Sequence, residues 1–440
     1  MMANWGTAKA RIVCDIFTGN SINEKEKIEK YTDISDGYNY IGTKDVGFDQ
    51  CIDYENGIKI PANNLKFKIA PKGSVLLCIE GGSAGRKIGL TDQDVCFGNK
   101  LCAFVSKIDN KYIFYFLQTS DFRNIFSYNK NGLIGGVSVN KLKNIEIPLP
   151  PLAEQGRIVA KIEELFAGID AGVENLKSVK NQIALYRQSV LKSAFDFDKS
   201  IFLPLKILIE KVRYGTSKKC SMKQKEGSMH VYRIPNIDFE KGILDKTDLK
   251  FASFDDSEKS SLMLKGGDIL IIRSNGSLNL VGRAALVRNT DTNGVYAGYL
   301  MRLRVKDTEK LLPKFLLNFL NSGKARAYIE EKAKSTSGVN NINSEEISDL
   351  QIPVPTLAEQ EKIVAEIESR FERADALEAA VDRALSDAEK LKQAVLKKAF
   401  SGELVPQNPD DEPASVLLDR IRAARASEQP ARKKKRKKQA

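Results

Sequence analysis

Histidine is almost missing from this 440-residue sequence; His230 is the only one. A histidine-based nuclease centre or a Ser-His-Asp triad has nothing to spare. Cysteine is sparse and scattered. Cys14, Cys51, Cys78, Cys96, Cys102 and Cys220 form no CxxC pair, which argues against a structural zinc site. Several lie in apolar runs, where buried thiols of a reducing cytosol are expected. No apolar run approaches the roughly 18 residues of a membrane span. The start, MMANWGTAKA, lacks the apolar core of a secretory signal. The expectation is a cytoplasmic protein with no membrane contact. Nucleotide motifs are missing too. Gly82 to Lys87 lacks the spacing of a phosphate-binding loop, and no GxGxxG follows a strand to open a helix. There is no asparagine-proline-proline-aromatic loop of the kind that grips a flipped base. Asp255-Asp256 reads as a solvated turn, not a metal site. No catalytic residue and no metal site is assigned to the chain.

What is present is enough apolar material for real cores, 42% of residues, in a chain long enough for two to four domains. The formal charge is +12, but Arg432 to Lys438 reads RKKKRKK. Without those seven, 62 Lys+Arg stand against 57 Asp+Glu. The body is only mildly basic, so a nucleic-acid partner has to be argued from pattern.

The pattern is a duplication. Ile147 begins IPLPPLAEQGRIVAKIEELF and Ile352 begins IPVPTLAEQEKIVAEIESRF, an offset of 205 residues. It holds without a gap to VLKSAF, ending at Phe195, and VLKKAF, ending at Phe400, with roughly 21 of 49 positions identical. Val137 and Leu142 map onto Ile342 and Ile347. Each copy is thus a variable region of about 150 residues followed by a near-constant segment of about 45. In the first segment Val159, Ile162, Phe166, Ile169, Val173, Leu176, Ile183 and Val190 keep spacings of three and four. In the second, Val364, Ile367, Phe371, Ala374, Val381, Leu385, Ala388, Val395 and Ala399 do the same. A stripe this narrow and long predicts two helices that meet as a coiled coil. Thr356 and Glu359 make a capping box at one start, and Pro151 replaces the threonine at the other. Gly402 is placed to end the second helix. A pseudo-two-fold axis between the copies makes the pair antiparallel and points the variable regions in opposite senses, the symmetry of a DNA duplex. Lys180 and Glu378 break the stripe and would meet across such a pair.

The variable regions read as mixed α/β. Strand-like runs are Ser74 to Ile79, Asp268 to Ile272 and Leu300 to Val305. Helical stretches follow near Tyr112 to Gln118 and Pro313 to Glu331. Polar loops after the buried strands carry the candidates for DNA contact. In the first copy these are Arg86, Lys87, Asn99 and Lys100. In the second they are Arg273, Ser274, Asn275 and Ser277 in a hairpin-like loop, then Arg283, Asn340 and Asn341. Arginine can bind guanine and asparagine adenine with two hydrogen bonds each; serine and lysine suit phosphates.

The IPLPPLAEQ and IPVPTLAEQ starts, the helices ending in VLKSAF and VLKKAF, and RSNGSLNLVGR resemble the specificity subunit of type I restriction–modification enzymes, over residues 1 to about 404. The resemblance implies tandem α/β target-recognition domains separated by an antiparallel coiled coil. The domains are 1–150 and 199–355, the helices 151–198 and 356–404, and 405–440 is an extension with a basic tail, read as a short helix and then a solvated, disordered segment. It implies a non-catalytic partner of double-stranded DNA in which each domain reads half of a bipartite, asymmetric site. Two methyltransferase subunits dock on the helices, and restriction subunits join them. S-adenosylmethionine, ATP and Mg belong to those subunits; this chain binds no cofactor. The competing readings are a scaffold that reads no bases, an enzyme with unrecognised methyltransferase or nuclease motifs, and a transcription regulator.

Overall fold

The protein is described from a computed structural model covering residues 5–32, 34–130, 135–196, 201–333 and 338–438, with side chains through 427. Two compact units result. One comprises residues 1–175 and 384–440, the other 176–383.

In the first unit, the run that reads as a buried strand forms Val75–Cys78, central in a four-stranded antiparallel sheet. Its neighbours are Leu101–Ser106 and Ile88–Leu90, and Cys14–Thr18 lies beyond Leu101–Ser106. Both faces of Val75–Cys78 are covered, which is why it is continuously apolar. Val75 and Leu77 face one core with the helices; Leu76 and Cys78 face a second core with Phe97 and Ala103. A smaller sheet orders Lys59–Ile60, Tyr38–Ile41, Val95–Phe97 and Ile69–Ala70.

The second unit repeats the plan. Ile269–Ile272 sits between Leu300–Leu303 and Ala284–Leu286. Ile269 and Ile271 face one core, Leu270 and Ile272 another. The helical stretch expected as one piece is two: Pro313–Leu320 and Gly323–Lys332. The break falls at Asn321-Ser322, where the Ser322 hydroxyl turns back to the Phe319 carbonyl. The counterpart helix in the first unit is Asn110–Phe116, capped by Asp109.

Both near-constant segments are helices, Leu152–Ala194 and Leu357–Phe400. Thr356 and Glu359 bond reciprocally at the second start. Gly402 follows the second end at φ 76°, the left-handed conformation that glycine adopts without strain. Within each unit one stretch of the first helix lies antiparallel to one stretch of the second, and the contacts obey the duplication. In the first unit Lys392 bonds Asp170 and lies 5.3 Å from the Phe166 ring centre. In the second, 205 residues apart in each case, Arg187 bonds Asp375 at 2.6 Å and lies 5.3 Å from the Phe371 ring centre. Lys180 also reaches Glu378, at 3.9 Å, but its shorter partner is Asp382 at 2.8 Å.

The C-terminal extension departs from the expected short helix and disordered tail. Its helix is Ala414–Lys438, running through the basic residues, whose side chains lie outside those described. Leu417, Leu418 and Ile421 enter the first unit's core. Asp411 takes two hydrogen bonds from Arg157, at 3.2 and 2.6 Å, and Arg425 pairs with Asp15 at 3.0 Å. The guanidinium of Arg157 holds the Asp411 carboxyl below its usual range.

Candidate nucleic-acid interface

The platform comes first, because it fixes where the loops stand. The LAEQ motif supplies a buried glutamine in each copy. Gln155 Nε2 donates to Pro150 O at 3.0 Å while its Oε1 accepts from Asp109 N, at the start of helix Asn110–Phe116. Gln360 does the same with Pro355 O and Leu312 N, at the start of helix Pro313–Leu320. A helix start leaves backbone N–H groups unpaired, and here a side chain from the long helix satisfies one. One residue into each short helix, Lys111 pairs with Glu163 at 2.7 Å and Lys314 pairs with Glu368. The far ends of the long helices close the arrangement. Phe400 packs on Tyr112 and Phe116, with ring centres 4.9 and 5.6 Å away. Phe195 packs on Phe315 and Phe319 at 5.2 and 5.4 Å. Each recognition region is thus seated on the beginning of one long helix and the end of the other.

On that platform the second region gathers four of its candidates into one ribbon, with Arg273 and Ser277 flanking it. Ser274–Asn275 does not fold back as a hairpin of its own. It pairs antiparallel with Asn340–Asn341, Ser274 opposite Asn341 and Asn275 opposite Asn340. Arg273 precedes the ribbon, with its Nε donating to Asn341 Oδ1 at 3.3 Å and its guanidinium 4.5 Å from the Tyr214 ring centre. The Tyr214 hydroxyl accepts from Ser344 N at 2.9 Å, which fixes the ring. Ser277 N donates to Asn275 Oδ1 at 2.8 Å, and Asn340 Nδ2 donates to Gly276 O at 3.0 Å. Thr336 and Ser337, part of the same loop in the sequence, lie outside the described residues. Arg283 is not on the ribbon; it bonds Asn279 and covers Phe239 at 4.7 Å.

Sequence reasoning passed over the aromatics beside this ribbon and the exposed lysines that follow Tyr214 in the chain. Tyr299, 64% exposed, accepts a hydrogen bond at its carbonyl from Arg273 N. Exposed Lys219, Lys223 and Lys225 follow Thr216 in the next loop. A Cβ on Gly215 would stand 2.3 Å from the carbonyl oxygens of Tyr296 and Ala297, so only glycine lets Tyr214 enter at this place. The run Arg213-Tyr214-Gly215-Thr216 was the available signal. The result is an arginine stacked on tyrosine beside an asparagine-rich ribbon, a set suited to base edges and phosphates.

In the first region Arg86 and Lys87 both stand over Phe48, which is 62% exposed, with 5.4 and 5.2 Å to the ring centre. Lys87 Nζ also donates to Thr43 O at 3.0 Å. Asn99 and Lys100 lie exposed in the turn between strands Val95–Phe97 and Leu101–Ser106. Burial raises the Cys78 thiol pKa, while Lys87 and Lys100 both pull it down, which places the two cations within electrostatic range of one residue. Phe48 carried no sequence signal beyond a lone aromatic in a loop. Of the helix stripe, Val159 and Ile162 join the first unit's core and Val364 and Ile367 the second's, in both cases alongside the end of the other long helix. The stripe therefore serves both the helix pair and the seats of the recognition regions. Arg187, 7% exposed, occupies a stripe position that apolar periodicity alone does not reveal.

Among the described residues no group of three or more His, Cys, Asp or Glu side chains is placed to hold a metal ion, and no helix is long and apolar enough to cross a membrane. Asp255 caps helix Asp256–Leu262. His230 lies edge-on to Tyr232, with ring centres 5.0 Å apart.

Duplicated α/β recognition regions carried on paired long helices define a tandem reader. The family model for the type I restriction modification DNA specificity domain matches residues 2–181 and again 210–385, and the chain belongs to that family. It is 32% identical over 403 residues to the type I restriction enzyme EcoKI specificity subunit of Escherichia coli K12, covering 84% of each chain. It is 29% identical over 463 residues to the StySPI specificity subunit of Salmonella potsdam, covering 96% of each. The fold is shared with a chain from a structural study of assembly and conformational transition in the type I restriction–modification system, at TM-score 0.68, 18% identity, and 92% and 99% coverage of this chain and that one. It is also shared with the HsdS subunit of Thermoanaerobacter tengcongensis, at TM-score 0.50, 20% identity, and 91% and 97% coverage.

Proposed function

We propose that this chain is the sequence-specificity subunit of a type I restriction–modification complex and performs no chemistry itself. Residues 1–150 read one half of a bipartite, asymmetric DNA site and residues 199–355 read the other. Helices 151–198 and 356–404 hold the two readers at a fixed separation and receive two methyltransferase subunits, with restriction subunits joining that core. S-adenosylmethionine, ATP and Mg are brought by those partners, and the complex works in the cytoplasm.

The observation that carries this reading is the duplicated seat with unlike loops. The glutamine, lysine–glutamate and phenylalanine contacts recur in both copies, whereas the outward loops share almost nothing. A stacked arginine and an asparagine ribbon serve one domain; two cations around a phenylalanine serve the other. Two different chemistries on one scaffold suit two different half-sites. Arg273, Asn275, Asn340 and Asn341 are assigned to base edges. Ser274, Ser277, Arg86, Lys87, Asn99 and Lys100 are assigned to phosphates or bases.

Footprinting of the assembled complex on specific DNA tests this. Two separate protected blocks with an open spacer are expected. A scaffold that reads no bases leaves no discrete pair of blocks, and methyl transfer by the purified chain alone would make it an enzyme.

A further inference from the structure

A cavity of about 580 Å³ lies in the second unit between both long helices, helix Pro313–Leu320 and the loop around Phe239. That size is within the range of small-ligand sites. The duplication explains why it is there. Helices Asn110–Phe116 and Pro313–Leu320 correspond through their shared lysine and their shared phenylalanine contacts, which puts Asn318 where the first copy has Tyr115. In the first unit the Tyr115 ring stands edge-on against Phe166, with centres 5.8 Å apart. In the second unit the equivalent ring is Phe371, with Arg187 5.3 Å from its centre, and the shorter Asn318 lines the same cavity. The space of one aromatic ring has been vacated beside an aromatic surface.

The walls state what else the occupant carries. Arg283 is half-buried and covers Phe239 on the opposite wall. Its side chain donates to the Asn279 carbonyl and carboxamide oxygens, and among the described residues it forms no ion pair. Burial and then Arg326 push its pKa down, outweighing Glu330 and Glu240, which pull it up. The other buried cation of the wall, Arg187, is neutralised by Asp375 and Glu378, and Lys314 by Glu368. Glu240 and Glu372 are exposed at the mouth. Among the described residues Arg283 is therefore a half-buried cation of the wall with no direct ion pair, Glu330 and Glu240 acting on it only from longer range, and a buried cation gains most from an anion in contact with it.

We propose that this cavity is a binding site for a small planar aromatic anion, its ring on Phe371 in the place Tyr115 fills in the other copy and its acidic group on Arg283. The site is independent of the DNA-reading role, since it takes no residue from the ribbon.

The test uses the full chain and 2-naphthoate as probe, with neutral 2-naphthamide beside it, in equilibrium dialysis. One saturable naphthoate site per chain is expected. Asn318→Tyr refills the vacated space and should weaken naphthoate binding at least tenfold. Arg283→Met should weaken naphthoate about tenfold and leave naphthamide unchanged. Tyr115→Asn opens the matching space in the first unit and should raise ring binding, read with naphthamide, from one site to two; this variant carries the test if Asn318→Tyr does not fold. Absence of saturable binding up to millimolar probe overturns the proposal. So does an Asn318→Tyr chain that binds as the wild type does, or equal loss of both probes in Arg283→Met.

Discussion

Gln155 and Gln360 show how one residue ties a motif to a fold. Each is fully buried and satisfies a backbone carbonyl and a helix-start amide that have no other way to be paired. Replacing Gln155 with leucine keeps the volume roughly and strands both groups. An unsatisfied buried partner costs about 1–3 kcal/mol, so Gln155→Leu should lower the unfolding midpoint of the first recognition domain in urea, while Gln155→Glu should not mimic wild type. A variant as stable as wild type would remove the motif's structural role. Asp291 gives a pH signature. Burial alone would raise its pKa, but hydrogen bonds from Arg288 and Lys246 outweigh that and leave it lowered. A carboxylate with a lowered folded pKa stabilises above its unfolded value, near 4, and that contribution is lost as pH falls through the folded value. The melting difference between wild type and Asp291→Asn should therefore be full at pH 6 and shrink toward pH 3. Thiol reactivity follows burial as well: Cys14 and Cys102 are pushed up to about 12, and Cys51 is exposed. Iodoacetamide at pH 8, read by peptide mass, should label Cys51 first and leave Cys14 and Cys102 unmodified in the folded chain.

At the scale of elements, the paired helices repeat their charge contacts through the duplication, which makes them testable as pairs. Arg187→Asp and Asp375→Arg should each lower the melting temperature, and the double reversal should recover most of the loss. Additive losses would mean the two side chains do not interact. Lys180 with Asp382 is more exposed and screened by solvent, and its reversal should shift the melting temperature less than the Arg187 reversal does. These helices were legible in sequence because an apolar stripe built on spacings of three and four persists through more than thirty residues in each copy, from Val159 to Val190 and from Val364 to Ala399. The central strands were legible because burial on both faces makes them continuously apolar. The ribbon proposed to read DNA was legible only as composition. Ser274–Asn275 finds its partner some 65 residues away at Asn340–Asn341, a pairing no local pattern encodes. Arg187 was missed because a charge interrupts the stripe at the point where two carboxylates, Asp375 and Glu378, receive it.

For the molecule as a whole, the proposal makes the helices a ruler and the two domains its marks. Seven residues of helix add about 10 Å at 1.5 Å per residue, which is about three base pairs at 3.4 Å each. Inserting one heptad after Val173 and another after Glu378, its counterpart, should lengthen the tolerated spacer by about three base pairs or abolish activity; an unchanged spacer would sever the helices from spacing. The most direct measurement of the central claim is methylome sequencing of two otherwise identical hosts. One carries the native system, and the other carries the same system with residues 1–150 exchanged for another family member's domain. A single bipartite motif is expected in the first host, and in the second a motif with one half replaced and the other half and the spacer intact. Change in both halves, or in neither, would contradict the account.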